Sequence, residues 1–332
     1  MSLVTLNKAS GTPKYKQIVS SIETAILNGS LKKGDQLPSI NSLRDSYSLS
    51  RDTVLMAFNA LKNRGIIYSI VGKGYYVSSE NIAISQKIFL LFDEFNAFKE
   101  DLYNSFIQSL NANIQVDIFF HHFNFKIFNS LIRDNIGDYN QYIIMPANLK
   151  NTALVLENLP KDKVFILDQV KPELNSYSAI YQNFEKNIMD GLLEAKSLLT
   201  KYNKLILIHD KKVQPIEMLS GFTTFCSDEN FDSEIIDTVV NRALKKGEVY
   251  IIPEDRNLIH IIKKIKETKF ILKKDIGIIS YNDTMLKEIV EGGITTISTD
   301  FTKMGENLAK IITNKKKVRI ENPTKLIIRN SL

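Results

Sequence analysis

A chain of 332 residues is too long for one ordinary domain and long enough to bury a sizeable core. Its apolar content of 44% is that of a globular protein, and no apolar run approaches the roughly 20 residues of a membrane span, so no membrane partner is expected. The net charge of +6 favours polyanionic partners, and a single cysteine, Cys226, excludes an internal disulfide and a cysteine-based metal centre.

The first periodic stretch carries Ile18, Ile22 and Ile26 on one helical face, entered at Pro13 and closed by Gly29-Ser30. Residues 37 to 77 then place three parts in a fixed order. Pro38-Ser39 opens a short helix. Leu49-Ser50 opens a second, whose Val54, Phe58 and Leu61 share a buried face and whose first turn carries Arg51, Asp52 and Thr53. Two short β-rich runs, Ile66 to Val71 and Tyr75 to Val77, flank Gly72-Lys73-Gly74. This is the layout of a winged helix-turn-helix, in which the second helix enters the major groove of double-stranded DNA. A capped surface helix explains residues 50 to 53 alone, but not the wing at this spacing.

These residues resemble the GntR family of bacterial transcription regulators. The matches are Leu37, Pro38, Ser39, Leu43, Ser50, Arg51, Thr53, Val54, Ala57, Leu61, Gly65, Ile66, Gly72, Gly74, Tyr76 and Val77. The resemblance implies a DNA-binding set of Ser39, Asn41, Arg44, Ser50, Arg51, Asp52, Thr53, Gly72, Lys73 and Gly74. The family's arginine two residues after the serine of its Leu-Pro-Ser motif is Asn41 here. Arg44 is expected to supply a phosphate contact in its place, and half-site preference is expected to differ accordingly. Charge agrees: residues 1 to 80 hold 10 Lys and Arg against 5 acids, so they carry +5 of the whole excess.

Polar residues 79 to 86 read as a linker between a first domain, 1 to 78, and a second, 87 to 332. From residue 87 strand-length apolar runs alternate with amphipathic stretches, which predicts parallel sheets with helices on both faces. Nine or more strands over about 250 residues predict two sheets, and ligands of such folds sit at the carboxyl ends of strands, here between two lobes. The expected fold is therefore an α+β winged helix-turn-helix followed by a two-lobed α/β domain.

The second domain resembles the LacI-type, periplasmic-binding-protein-like sensors. The resemblance rests on the order of several boxes: Leu90 to Phe95, Val164 to Gln169, Tyr181-Gln182-Asn183-Phe184, Ser220-Gly221-Phe222, Pro253 to Arg256, and above all Asp275 to Asp283. It implies a small-molecule effector bound by Asp93, Phe95, Asn148, Asp168, Asn183, Phe184, Met218, Arg256 and Asn282, with Glu94, Gln169 and Asp283 as further polar candidates. Met218 stands where the family often has a sugar-binding arginine, which disfavours an anion and points to a neutral, sugar-like effector such as a monosaccharide. Three crossovers between the lobes are expected near 182, 282 and 314, with residues 283 to 313 returning to the first lobe.

No metal, cofactor or catalytic residue is expected. His121, His122, His209 and His260 lack metal-ligand spacing, and no nucleophile elbow or phosphate loop is present. The aminotransferase-like domain of some GntR proteins is larger than the 246 residues after the linker. The expected protein is a cytoplasmic homodimeric regulator, a repressor released or recruited by its effector. The alternative is a constitutive dimeric DNA-binding scaffold whose second domain no longer senses.

Overall fold

The computed structural model describes residues 3–7, 12–82, 86–314 and 318–332. The first domain is built from α1 (Lys14–Leu27), α2 (Ile40–Tyr47) and α3 (Arg51–Asn63), followed by the hairpin β1 (Ile67–Ile70) and β2 (Gly74–Val77). Ile18, Ile22, Leu43, Val54, Phe58 and Leu61 meet in one core, the periodic faces read from the sequence. Ser39 Oγ accepts from Ser42 N at 3.0 Å and Ser50 Oγ from Thr53 N at 3.2 Å, so serines cap both helices of the reading motif. Ser50→Ala is expected to lower unfolding stability by about 1 kcal/mol, read from urea denaturation. An unchanged midpoint would mean that the cap contributes nothing. The hairpin pairs Ile67 with Val77 through Ile70 with Gly74. Gly72 and Gly74, at φ +75° and +111°, turn the chain where a side chain would be strained. The first strand ends at Ile70, leaving Val71 fully exposed at the wing tip and not in the ladder.

The second domain begins with β3 (Gln86–Phe92), α4 (Ala97–Gln108), β4 (Ile114–Phe120), α5 (Phe125–Asp134), β5 (Gln141–Ile144), α6 (Thr152–Leu156), β6 (Val164–Asp168) and β7 (Ser178–Tyr181). The chain then crosses into α7 (Phe184–Leu199), β8 (Lys204–Ile208), α8 (Glu217–Asp228), β9 (Asp232–Ile236), β10 (Glu248–Ile252), α9 (Asp255–Glu267), β11 (Ile276–Tyr281), α10 (Met285–Ile289) and β12 (Thr295–Thr299). It returns as α11 (Phe301–Asn314) and β13 (Arg319–Glu321), and ends in the other lobe as β14 (Thr324–Ile327). One sheet has the order β13-β7-β6-β5-β3-β4 and the other β14-β12-β11-β10-β8-β9. Every pairing in them is parallel except β12 with β14. Each sheet buries both faces: Leu90, Ile143 and Leu167 lie on one side of the first lobe, and Phe89, Tyr142 and Ile166 on the other. The fold is thus a winged helix-turn-helix followed by a two-lobed α/β domain.

The crossovers correct two of the three expected positions. The first lies at Gln182, as read. The second follows β12 and not residue 282, because Ile279 pairs in parallel with Thr295 and keeps β12 in the second sheet. The third lies near Asn322, between β13 and β14, and not near 314. So residues 283 to 299 belong to the second lobe, and the returning element is α11, packed along α4. Gly305 makes that packing possible, since a Cβ there would strike the Leu102 carbonyl.

The two domains are joined by more than chain. Lys62, at the end of α3, pairs with Asp138 of the first lobe at 2.6 Å. Arg64 pairs with Glu23 and donates from Nη2 to the Ile82 carbonyl at 2.7 Å. Lys33 N donates to Glu80 at 3.0 Å. Residues 80 and 82 of the expected linker are therefore held on the first domain, while residues 83–85 lie outside the described residues.

Candidate functional site

The first candidate surface is the exposed side of α3 and the wing. Arg51, Asp52, Met56 and Asn59 are exposed, opposite the buried Val54, Ala57, Phe58 and Leu61. Arg51 has no ion-pair partner among the described residues, so its guanidinium is available. Thr53 is half-buried, its hydroxyl 2.8 Å from Ser50 Oγ. Ser39 and Asn41 are exposed at the start of α2. Arg44 points its Nε at Asp45, 2.7 Å away, and this hydrogen bond holds the guanidinium above its ordinary range. Its charge is thus already shared with a neighbouring acid. Lys73 is exposed at the wing tip, between Gly72 and Gly74, and its carbonyl accepts from Gln36 Nε2 at 2.7 Å. That bond pins the wing against the loop preceding α2. A cation at the tip and a cation at the helix start is an arrangement suited to phosphate and base contacts.

The second is a cavity of ≈ 410 Å³ between the lobes, lined by residues from the carboxyl ends of strands in both sheets. Asp93, Asp168, Phe184, Met218, Arg256 and Asn282 line it together. Four further candidates lie outside the lining. Phe95 is exposed and packs edge-on against Phe120, which takes its ring away from the cavity. Asn183 caps α7 through Lys186 N and bonds Glu321, because a crossover leading into a helix needs a cap there. Asn148 reaches the opposite lobe, donating to the Gln214 carbonyl, while Gln169 Nε2 donates to Glu217 at 3.3 Å. These side chains clasp the lobes at one edge of the cleft. Asp283 is paired by Arg329 through two 2.7 Å bonds, and so serves the packing of the C-terminal segment.

The cavity wall is strained where ligands of this fold class sit. Phe123, Ala147, Asp168 and Asn282 have φ of +55°, +48°, +75° and +60°, and all four line the cavity. Left-handed backbone at non-glycine residues costs energy that the surroundings must hold in place, and it concentrates at functional sites. Burial pushes the Asp168 carboxyl above the usual carboxylate range, with Lys99 pulling it back and Asp93 adding to the rise. Lys99 is itself buried and paired with Asp93.

Two features carry no signal in the sequence. Lys287 is 1% exposed, and its ammonium donates to the Tyr281 and Asn282 carbonyls at 2.9 and 2.7 Å while pairing with Asp255 at 2.9 Å. Burial pushes it below the ordinary lysine range, against the pull of Asp255. It fixes the strained turn at Asn282. The other feature is a relay through the crossovers. Gln182 Nε2 donates to Asp168 at 2.6 Å, Thr299 Oγ1 donates to Gln182 Oε1 at 2.6 Å, and Thr299 Oγ1 lies 3.1 Å from Thr324 Oγ1. One residue from each crossover is thus linked to one carboxylate of the cavity. Asp210, by contrast, was within reach of sequence reasoning, since it follows β8 as Asp168 ends β6.

Among the described residues, no helix is long and apolar enough to cross a membrane and no cluster is placed to hold a metal ion. Residues 14–77 match the model of the gntR family of bacterial regulatory proteins. The chain is 29% identical over 115 residues to the HTH-type transcriptional repressor YtrA of Bacillus subtilis (strain 168), covering 35% of this chain and 85% of that protein. It is 35% identical over 66 residues to the arabinose metabolism transcriptional repressor of Geobacillus stearothermophilus, 20% of this chain and only 18% of that protein. In fold it is similar to a LacI family transcriptional regulator from Enterococcus faecium, solved with bound ribose, with a TM-score of 0.60 and 17% identity over 74% of this chain and 98% of that one. The dimeric lac repressor with a C-terminal deletion gives 0.63 and 13% over the same shares.

Proposed function

Because the first domain is a gntR-family helix-turn-helix domain and the second has the fold of LacI-family regulators, we propose that the chain is a transcriptional repressor whose operator binding a small sugar-like effector controls. The observation that carries this is the strained, open cavity tied to all three crossovers. A scaffold without a sensing role has no use for it, and Met218 and Phe184 line the cleft without filling it. The chain works as a cytoplasmic homodimer, not an enzyme, on a pseudo-palindromic duplex, since a two-fold operator needs a two-fold protein. The first lobe carries most of the dimer contact. The DNA set is the one read from the sequence, with Arg51 at a base edge and Lys73 at a phosphate.

Selection of duplexes from a random pool by the full chain tests the reading. A pseudo-palindrome with two half-sites is the expected product, and recovery of no consensus would defeat it. On the selected operator, Lys73→Ala should weaken binding to all sequences alike. It should also reduce the slope of log affinity against log salt by about one per wing. An unchanged slope would remove Lys73 from the phosphate contacts.

A further inference from the structure

Each lip of the cleft carries the same charge pattern. The first lobe contributes Asp93, Glu94 and Asp168 with one cation, Lys99; the second contributes Asp210, Glu254 and Asp255 with one cation, Arg256. Lys99 is taken by Asp93, and Asp255 by Lys287. Among the described residues, Glu94, Asp210 and Glu254 have no cationic partner, and Arg256 is the one cation of the lining without an acid. The cavity is therefore built with an uncompensated excess of carboxylates divided between the two lobes.

We infer that the effector is a small, hydroxylated cation, an amine-bearing sugar or similar ammonium compound, and that its charge is what lets the two acidic lips close. This deepens, and rests on, the reading of the cleft as the effector site. Like charges on opposite lips repel more strongly as the lobes approach and water leaves, because the effective dielectric falls. A neutral ligand leaves that repulsion in place. An anion adds to it. An ammonium group between the lips reverses the sign of each interaction, so closure becomes favourable only with the ligand present.

A second observation points the same way. Asn282 is 7% exposed in the cavity wall, and its Oδ1, an acceptor only, has no hydrogen-bond partner among the described residues. A buried acceptor without a partner is costly, and a donor brought against it as the lobes close would satisfy it. Ammonium and hydroxyl groups are donors, as are none of the carboxylates around it. Phe184 and Tyr281, with ring centroids 6.4 Å apart, also line the cavity, and aromatic rings attract a cation placed over them. Cavity size also fits, since ≈ 410 Å³ is ample for a ligand of one sugar ring.

The test uses the full chain at neutral pH and three matched probes: D-glucosamine, D-glucose and D-gluconate, at equal millimolar concentration, read by thermal unfolding. Glucosamine should raise the midpoint several-fold more than glucose, and gluconate should not raise it. In the variant Asp210→Asn with Glu254→Gln, the free protein should melt higher, because cross-lip repulsion is relieved, and the glucosamine shift should shrink at least several-fold. Equal or larger shifts from glucose or gluconate overturn the charge assignment while leaving the cleft an effector site. No shift from glucosamine overturns it too. So does a double variant that melts lower when free, or that keeps the full glucosamine shift. The operator selection above stands or falls independently of every one of these outcomes.

Discussion

Arg51→Ala lowers affinity for the selected operator about 5- to 150-fold, the equivalent of roughly 1–3 kcal/mol for a lost bidentate contact. It also relaxes base preference at one position in each half-site. Arg51 sits at the first position of α3, exposed, with no acid pairing it among the described residues, one residue after the Ser50 cap that fixes the helix start. Its side chain is long enough to read a guanine edge while its backbone stays in the domain. The loss should be specific: binding to unrelated duplex falls much less, because phosphate contacts remain. This separates it from Lys73→Ala, which acts on all sequences alike. Titration of the operator and a scrambled duplex by mobility shift checks both. Equal losses on the two duplexes would move Arg51 from base to phosphate, and no loss on either would place α3 outside the groove.

The reading motif was legible because it is local. Ser39, Ser50, the Val54-Phe58-Leu61 face and the Gly72 to Gly74 tip all lie within 41 consecutive residues, where propensity, periodicity and capping agree. The alternation of strands and helices in the second domain was legible for the same reason. Three strands were not. Asp232–Ile236 lies at a sheet edge with charged and half-exposed side chains, so it lacks a continuous apolar run. Arg319–Glu321 and Thr324–Ile327 are too short for a period to register. Two of the three crossovers were misplaced because lobe membership depends on which strand a run pairs with, and the pairing of Ile279 with Thr295 leaves no mark in either segment alone. The cleft followed the same rule: strand-end acids such as Asp93 and Asp168 could be named, whereas Lys287, Gln182 and the clasp at Asn148 depend on partners between 5 and 117 residues away.

Gln182→Met is expected to separate effector binding from effector response. It removes the donor to Asp168 and the acceptor for Thr299 with little change of volume. The two lobes still fold, and operator affinity without effector should stay within about two-fold, since surface and core are otherwise unchanged. Response should collapse. In the proposed regulator the sites would be coupled by about 1–3 kcal/mol, a 5- to 150-fold change in DNA affinity, and among the described residues the relay joins all three crossovers to the cavity. Paired titrations of operator, with and without a ligand that stabilises the wild-type chain, read the coupling directly. The ligand's thermal shift on the variant reports whether binding survives. A full response in the variant would show that lobe closure proceeds by packing alone. Loss of binding and response together would make Gln182 part of the ligand site.

The bond between Lys62 and Asp138 ties the far end of the reading helix to the first lobe, and the Arg64 guanidinium ties the same end to the segment that leads into β3. The head is thus mounted like a needle on a dial, not hung from a cord. If the chain pairs on a duplex as proposed, a turn of the lobe is delivered to the wing tip multiplied by its distance from the pivot, so a small angle inside the second domain becomes a misfit of the two heads against the fixed pitch of the duplex.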